Sequence, residues 1–382
     1  MRHAPLLGLL FILHACNDSS TGPDPAPDSG LIDSGGTDSR VADAGGADTA
    51  VPPDAALDAG LDAFVPDDLV LEEGRAPIDV PEGTFFTTVS YGESVEQVFD
   101  ALLPEATEPT PAIIFIHGGG FTGGTRRTGY ATPADVERYL EAGVAYFTID
   151  YSLLVTGEEV GVLRSLRDAQ RMLQFVRYYA DTFNIDPARI ALRGPSAGAG
   201  TSLWLAFHDD LADPESDDPI ARQTTRVVAA VGTATQSTYD LVRWPSDVYT
   251  PTYPLTVQDF FANRDLATSA VMFYGLDPAL AGDPLALEAE LNTPALETYR
   301  AEVDMVAWMS NDDPPFWVRN QGRDRAPSDP RFDVLHHPLH AALLEDRARE
   351  VSLSEFVVEA PDLEIGGDSD PVDFLLRHLG VE

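Results

Sequence analysis

Apolar residues fall along this chain in two periods. Ala112 to Ile116 (Ala-Ile-Ile-Phe-Ile) is an unbroken apolar run, and Val144 to Ile149 is nearly one. Both predict strands covered on two faces. Shorter runs at Arg189 to Arg193, Val227 to Val231, Phe316 to Arg319 and Glu355 to Val358 predict further strands, and the weak alternation of Phe85 to Tyr91 predicts an edge strand. Between them the spacing turns helical. Pro133 to Ala142 is one such stretch. Leu163 to Phe183 carries apolar residues at 163, 166, 169, 173, 176, 180 and 183, one face of a long helix. Asp186-Pro187 predicts a break before the next strand. Ser202 to His208 and Val372 to Leu379 predict two more helices, the last with His378 on its surface. Strands alternating with helices predict one α/β domain, residues 76–382, with a mostly parallel sheet covered on both faces. Residues 237–310 interrupt the strand order with Leu and aromatic residues from Trp244 to Trp308, which predicts an inserted helical cap. Its rings either form the cap's own core or line a pocket that favours an apolar or aromatic acyl group.

The first 75 residues read differently. Arg2 and His3 precede an apolar run, Leu6 to Leu13, of signal-peptide length and too short for a stable membrane span. It ends in Leu13-His14-Ala15-Cys16, which resembles the lipobox of bacterial lipoproteins, with His14 departing from the small or aliphatic residue usual there. That resemblance implies cleavage before Cys16, lipidation of its thiol, export, and anchorage in the bacterial cell envelope on the periplasmic or outer-surface side. The alternative is an ordinary export signal with a chance cysteine. Residues 17–75 then predict a disordered tether. They hold twelve Asp between Asp18 and Asp68 against Arg40 alone, and Asp33, Asp38, Asp43 and Asp48 recur every five residues. Such a stretch buries too little apolar surface to offset its chain entropy, and its charges extend it. A calcium-binding repeat would need a glycine turn and spaced oxygen ligands that are absent.

Composition narrows the chemistry. In 382 residues there are 24 basic and 63 acidic side chains, a formal charge of −39. That excludes a nucleic-acid binder working through a basic face and disfavours anionic substrates. All the cations are Arg, so lysine Schiff-base and P-loop chemistry are excluded, and a single cysteine excludes an internal disulfide or a Cys-based zinc knuckle. His208-Asp209-Asp210 with Asp213, Glu215, Asp217 and Asp218 reads as a solvated acidic loop more readily than as a metal site.

Two glycine-rich turns carry the catalytic signal. Gly194-Pro195-Ser196-Ala197-Gly198 fits G-x-S-x-G between a short strand and a helix, where small residues permit a sharp turn that lifts the serine hydroxyl. Taken singly it could be a helix N-cap. His117-Gly118-Gly119-Gly120-Phe121 follows the buried strand 112–116 directly. Its glycine amides can approach a ligand closely, and with the Ala197 amide they make an oxyanion hole. His117 reads as a brace for the loop.

These motifs, with Ile149-Asp150-Tyr151-Ser152-Leu153 and Ile185-Asp186-Pro187, resemble the α/β-hydrolase fold of the carboxylesterase and hormone-sensitive-lipase type. The resemblance implies that Ser196 is the nucleophile, that Gly119, Gly120 and Ala197 form the oxyanion hole, and that Asp150 and Tyr151 are scaffold for the glycine loop. It implies a small-molecule ester as substrate and neither metal nor organic cofactor.

The family order places the base after the last strand, near residue 364, where this chain has Glu364 and no histidine. His336 and His337, on the loop after the Phe316–Arg319 strand, are the remaining candidates, with His337 preferred. Asp333 is the expected acid and Asp324 its alternative. Two function classes therefore stand: a serine esterase, and a catalytically weak or inactive hydrolase-fold binding lipoprotein.

Overall fold

Eight strands form one sheet in the order β1-β2-β4-β3-β5-β6-β7-β8. The computed structural model describes residues 69, 71–81, 83–250, 252–329, 331–365 and 370–381. The signal-like run, Cys16 and the acidic repeats lie outside these residues. At the centre is β3 (Thr110–Ile116), every residue buried. It lies parallel to β4 (Ala145–Ile149) and β5 (Ile185–Pro195). Beyond β5, the strands β6 (Ala230–Thr233), β7 (Phe316–Arg319) and β8 (Phe356–Glu359) continue in parallel. At the opposite edge β1 (Gly83–Ser90) and β2 (Val98–Pro104) are antiparallel.

Alternation along the strands gives the sheet two apolar faces. Ile113, Phe115 and Tyr146 join a cluster with α1 (Pro133–Glu141) and α11 (Pro371–Leu379), through Val136, Tyr139, Phe374 and Leu375. Phe147, one residue on from Tyr146, points the other way. There it meets Phe99 and Phe183 at 5.9 and 5.5 Å between centroids, and Phe99 meets Phe175 of α2 (Val162–Tyr178) at 5.8 Å. Burying both faces is what the apolar runs of β3 and β4 require.

Parallel strands bring their following loops to one edge. The glycine turn leaves β3 there, and Ser196 follows β5 and opens α4 (Ala197–Phe207). The two turns touch backbone to backbone. A Cβ on Gly198 would lie 1.9 Å from the Ile116 carbonyl oxygen, and one on Gly118 would lie 2.7 Å from the Pro195 oxygen and 3.3 Å from Ser196 Cβ. Only glycine permits this approach.

Several elements differ from the sequence expectation. β2 carries no alternating signal because Asp100 sits inside its buried run. The long helix is two: α2 stops at Tyr179, whose backbone (φ −97°, ψ 24°) leaves the helical range, and α3 (Ala180–Phe183) ends on left-handed Asn184. Asp186-Pro187 does not break β5. The β3–β5 register slips there, from Thr110 opposite Ile185 to Ala112 opposite Ile190, and Asp186 Oδ1 accepts the Ala188 amide at 2.9 Å. Glu72 and Gly74, inside the expected tether, bond to β1: the Thr87 amide donates to the Glu72 oxygen at 3.2 Å and the Gly74 amide to the Phe85 oxygen at 2.9 Å. His378 is half-buried, its ring 4.6 Å from that of Phe374. Between β6 and β7 the chain forms the insertion: 3-10 and π turns over Leu241–Arg243 and Trp244–Tyr249, then short helices α5 (Val257–Phe261), α6 (Arg264–Phe273), α7 (Pro284–Leu291), α8 (Pro294–Glu302) and α9 (Met305–Trp308). Most of its aromatic rings are buried, as cap core.

The contact between the two turns makes Gly198 intolerant of a side chain. Gly198→Ala should force β3 and α4 apart and cost about 1–3 kcal/mol, as overpacking in a closed core does. A lowered urea midpoint at unchanged slope measures this, and an unchanged midpoint would show that the turns can separate freely.

Candidate active site

Ser196 has φ 52° and ψ −119°, a conformation that costs a residue with a Cβ about 1–3 kcal/mol. The surrounding chain holds it there. Its amide donates to the Thr233 oxygen of β6 at 2.8 Å, and its carbonyl accepts the first helical bond of α4, from Gly200 at 3.0 Å. The side chain is half-buried at the sheet edge. The Ala197 amide, at the first position of α4, has no carbonyl four residues back within the helix, and the helix end adds partial positive charge.

Across the contact, Gly119 and Gly120 are exposed with φ of 119° and 61°. A Cβ on Gly119 would lie 2.1 Å from the Gly123 oxygen. His117 acts as a brace, 1% exposed, with Nδ1 2.7 Å from the Gly118 oxygen and its ring stacked on Tyr151 at 4.2 Å. Burial lowers its pKa, so the ring is neutral and Nδ1–H donates. The Tyr151 hydroxyl donates to the His117 oxygen at 2.8 Å. Asp150 accepts from the Arg126 amide and from Arg126 Nη1, each at 2.5 Å. Arg126 Nε in turn donates to Asp100 Oδ1 at 2.8 Å. Asp100 also takes the Thr88 amide at 2.9 Å and the Tyr130 hydroxyl at 3.2 Å. One guanidinium thus ties β1, β2, β4 and the glycine loop together. Sequence reading missed Arg126. The available signal was Asp100, since a carboxylate inside a buried strand needs a cationic or multiply donating partner.

The loop after β7 brings an imidazole to Ser196. His336 Nε2 lies 2.9 Å from Ser196 Oγ and His336 Nδ1 lies 3.1 Å from Asp333 Oδ2. The hydrogen-bond network assigns the tautomer: Nδ1–H donates to the carboxylate, leaving Nε2 to accept the serine proton. Asp333 Oδ1 accepts the amides of Leu335 and His336 at 3.0 and 3.2 Å. Burial alone would raise the Asp333 carboxyl, but the bond and charge of His336, with those two amides, outweigh it and hold it below its ordinary value.

This corrects the preference for His337. That ring is fully buried and caps α10 (Pro338–Glu350), its Nδ1 accepting the Leu339 amide at 3.3 Å. Its Nε2 lies 3.3 Å from the Arg325 oxygen and 3.6 Å from Asp324 Oδ1. Adjacent side chains on an extended backbone point to opposite sides, and the cap position (φ −61°, ψ 141°) sends His337 inward as it leaves His336 facing Ser196. Asp324, the alternative acid, pairs with His337 and accepts the Tyr253 hydroxyl at 2.8 Å. Glu364 is exposed with φ 56°, on the short turn after β8. In the acidic segment after α4, Asp210 accepts the Thr225 amide at 2.8 Å and the Thr224 hydroxyl at 2.6 Å, and His208 faces Glu302 at 3.5 Å. Among the described residues no three metal-ligating side chains converge.

A hydroxyl in contact with one imidazole nitrogen, a carboxylate on the other, and a glycine turn packed against the serine elbow are groups that acyl transfer can use. Residues 99–270 match the family model described as BD-FAE. Gut esterase 1 of Caenorhabditis elegans is 33% identical over 136 residues, covering 34% of this chain and 24% of that protein. Juvenile hormone esterase of Heliothis virescens is 32% identical over 103 residues, 25% of this chain and 18% of that protein. The chain thus spans about a quarter or less of the length of these curated relatives. A truncated carbohydrate esterase from gut microbiota shares the fold, with TM-score 0.54 at 16% identity over 80% of this chain and 99% of that one. The family match contains both glycine-rich turns and ends before the loop that carries His336, and the chain has the α/β-hydrolase fold.

Proposed function

We propose that this chain is a serine carboxylic-ester hydrolase that works through an acyl-enzyme. The observation that carries the reading is the 2.9 Å contact of Ser196 Oγ with His336 Nε2, with Asp333 on the other ring nitrogen. In this mechanism His336 takes the serine proton as Oγ attacks the ester carbonyl. Gly119, Gly120 and Ala197 donate to the oxyanion, each such donor contributing about 3–4 kcal/mol. His336 then returns the proton to the leaving alcohol. Water, deprotonated by the same ring, hydrolyses the acyl-enzyme, and Asp333 holds the imidazole and stabilises its cation throughout. The alternative, a catalytically weak or inactive binding protein, rests on the missing histidine after the last strand, and the contact of His336 with Ser196 favours the esterase reading over it. Gly119 and Gly120 are exposed and Ser196 half-buried, which supports a small-molecule ester reached from solvent.

Localisation is part of the same proposal: Leu6 to Cys16 directs export and Cys16 receives the lipid, holding the hydrolase domain at the cell envelope on a charged tether.

His336→Ala should lower kcat for a p-nitrophenyl ester by at least about 10³-fold and slow fluorophosphonate labelling of Ser196, whereas His337→Ala should keep turnover and lose about 1–2 kcal/mol of stability with its helix cap. Retained activity in His336→Ala would sink the assignment. Asp333→Asn keeps the turn but presents an amide N–H to His336 Nδ1, which selects the wrong tautomer; kcat should fall by about 10³-fold or more. Expressed in a bacterial host, the full chain should fractionate with membranes and Cys16→Ala should release it. Equal partition of the two would remove the anchor.

A further inference from the structure

The turn that carries acid and base is held from outside by the root of the cap. Three of its peptide carbonyls accept from side chains elsewhere in the fold. The Val334 oxygen receives the Tyr249 hydroxyl at 2.5 Å and His340 Nε2 at 3.0 Å. The Leu335 oxygen receives Gln236 Nε2 at 3.0 Å, and the His337 oxygen receives Asn320 Nδ2 at 3.0 Å. The His336 oxygen packs so closely on Gly322 that a Cβ there would lie 2.4 Å away. Within the turn itself the bonds all run to Asp333: from the amides of Leu335 and His336 and from His336 Nδ1.

Tyr249 belongs to the insertion and Gln236 to the segment that leads into it from β6, and both are buried. Tyr249 closes the π turn Trp244–Tyr249, a form that recurs where a side chain must be aimed at a functional element. Its ring edge rests on His337 and Phe332, each at 5.5 Å between centroids. His340 completes the clamp. Burial lowers its pKa to about 3, so the ring is neutral. Its Nδ1 accepts the Ser237 amide at 3.2 Å, which leaves Nε2–H to donate to Val334. The cap root therefore grips the turn directly through Tyr249 and Gln236, and again through Ser237 by way of His340.

We propose that Tyr249 and Gln236 are positioning residues for the Asp333–His336 turn, so that the cap's root holds the base against Ser196. This rests on the esterase reading above. Both residues act through peptide carbonyls. With acid and base three residues apart on one turn, any loosening moves both, and a misplacement of about 1 Å in a reacting group is worth about 10²-fold in rate.

The test is a double-mutant cycle on the full chain with a p-nitrophenyl ester, at a temperature where every variant is folded by circular dichroism. Tyr249→Phe keeps the ring and removes the hydroxyl, and Gln236→Met keeps the length and removes the donor. Each should lower kcat about tenfold with KM within twofold, and slow fluorophosphonate labelling in parallel. In the Asp333→Asn background, where the relay is already broken, the same substitutions should change kcat less than threefold. Wild-type kcat in both single variants would overturn the proposal. So would an equal loss in the Asp333→Asn background, or a loss confined to KM or to the folded fraction. If the wild-type chain turned over no ester, the esterase reading would fail first. A wild type that is active and inactivated by His336→Ala, alongside fully active Tyr249→Phe and Gln236→Met, would leave that reading intact and remove this inference alone.

Discussion

Backbone meets backbone where β3 and β5 run out of the sheet, and the rest of the site depends on that contact. Gly198 lies against the carbonyl of Ile116, and Gly118 against that of Pro195. Side chains at these positions would hold the serine elbow and the glycine loop apart. Without them, the two exits pack backbone to backbone. The parallel pairing of β3 with β5 sets the direction of both exits, and the apolar character of β3 sets the pairing. The chemistry is thus a consequence of how a strand buried on both faces must end.

Charge supports this arrangement from behind. In a chain of −39, Arg126 sits among Asp100, Asp150, Thr88 and the backbone of its own turn. Removing Arg126 would leave the buried Asp100 without its cation, an uncompensated charge inside the fold. Its value here is geometric. It links the antiparallel edge of the sheet to the exit of β4, where Tyr151 stacks on His117, so the glycine loop takes its position from β1, β2 and β4 as well as from its own sequence. Tyr239 works from the other side. Its hydroxyl donates to the Ala197 oxygen at 2.8 Å and its ring meets Phe121 at 5.4 Å, joining the serine elbow and the glycine turn to the base of the insertion.

How much of this was legible depended on whether the information was local. The buried strands, the strand–serine–helix context and the glycine run after β3 are short-range patterns, and the sequence displayed them. Asp100 concealed β2 because a carboxylate in a strand looks like an interruption until its distant cation is in place. The choice between His336 and His337 was not legible, since both have the same neighbours in sequence. Which of the two rings faces Ser196 is set by the turn that makes Asp333 cap its own following amides and by Pro338, which starts a helix and makes its predecessor the cap. The clamp on that turn joins residues 236, 249, 320 and 340, separations that no spacing argument reaches.

In the proposed mechanism acid and base share one four-residue turn, which frees the far end of the chain from chemistry. From Ala360 onward the described residues supply no member of the Ser196–His336–Asp333 relay, and the exit of β8 instead contributes Asp362 to a surface pairing with Arg323. That end can therefore diverge in length, accept an appended module or carry a different surface without disturbing proton transfer, a freedom denied to any relative whose imidazole hangs from its final strand.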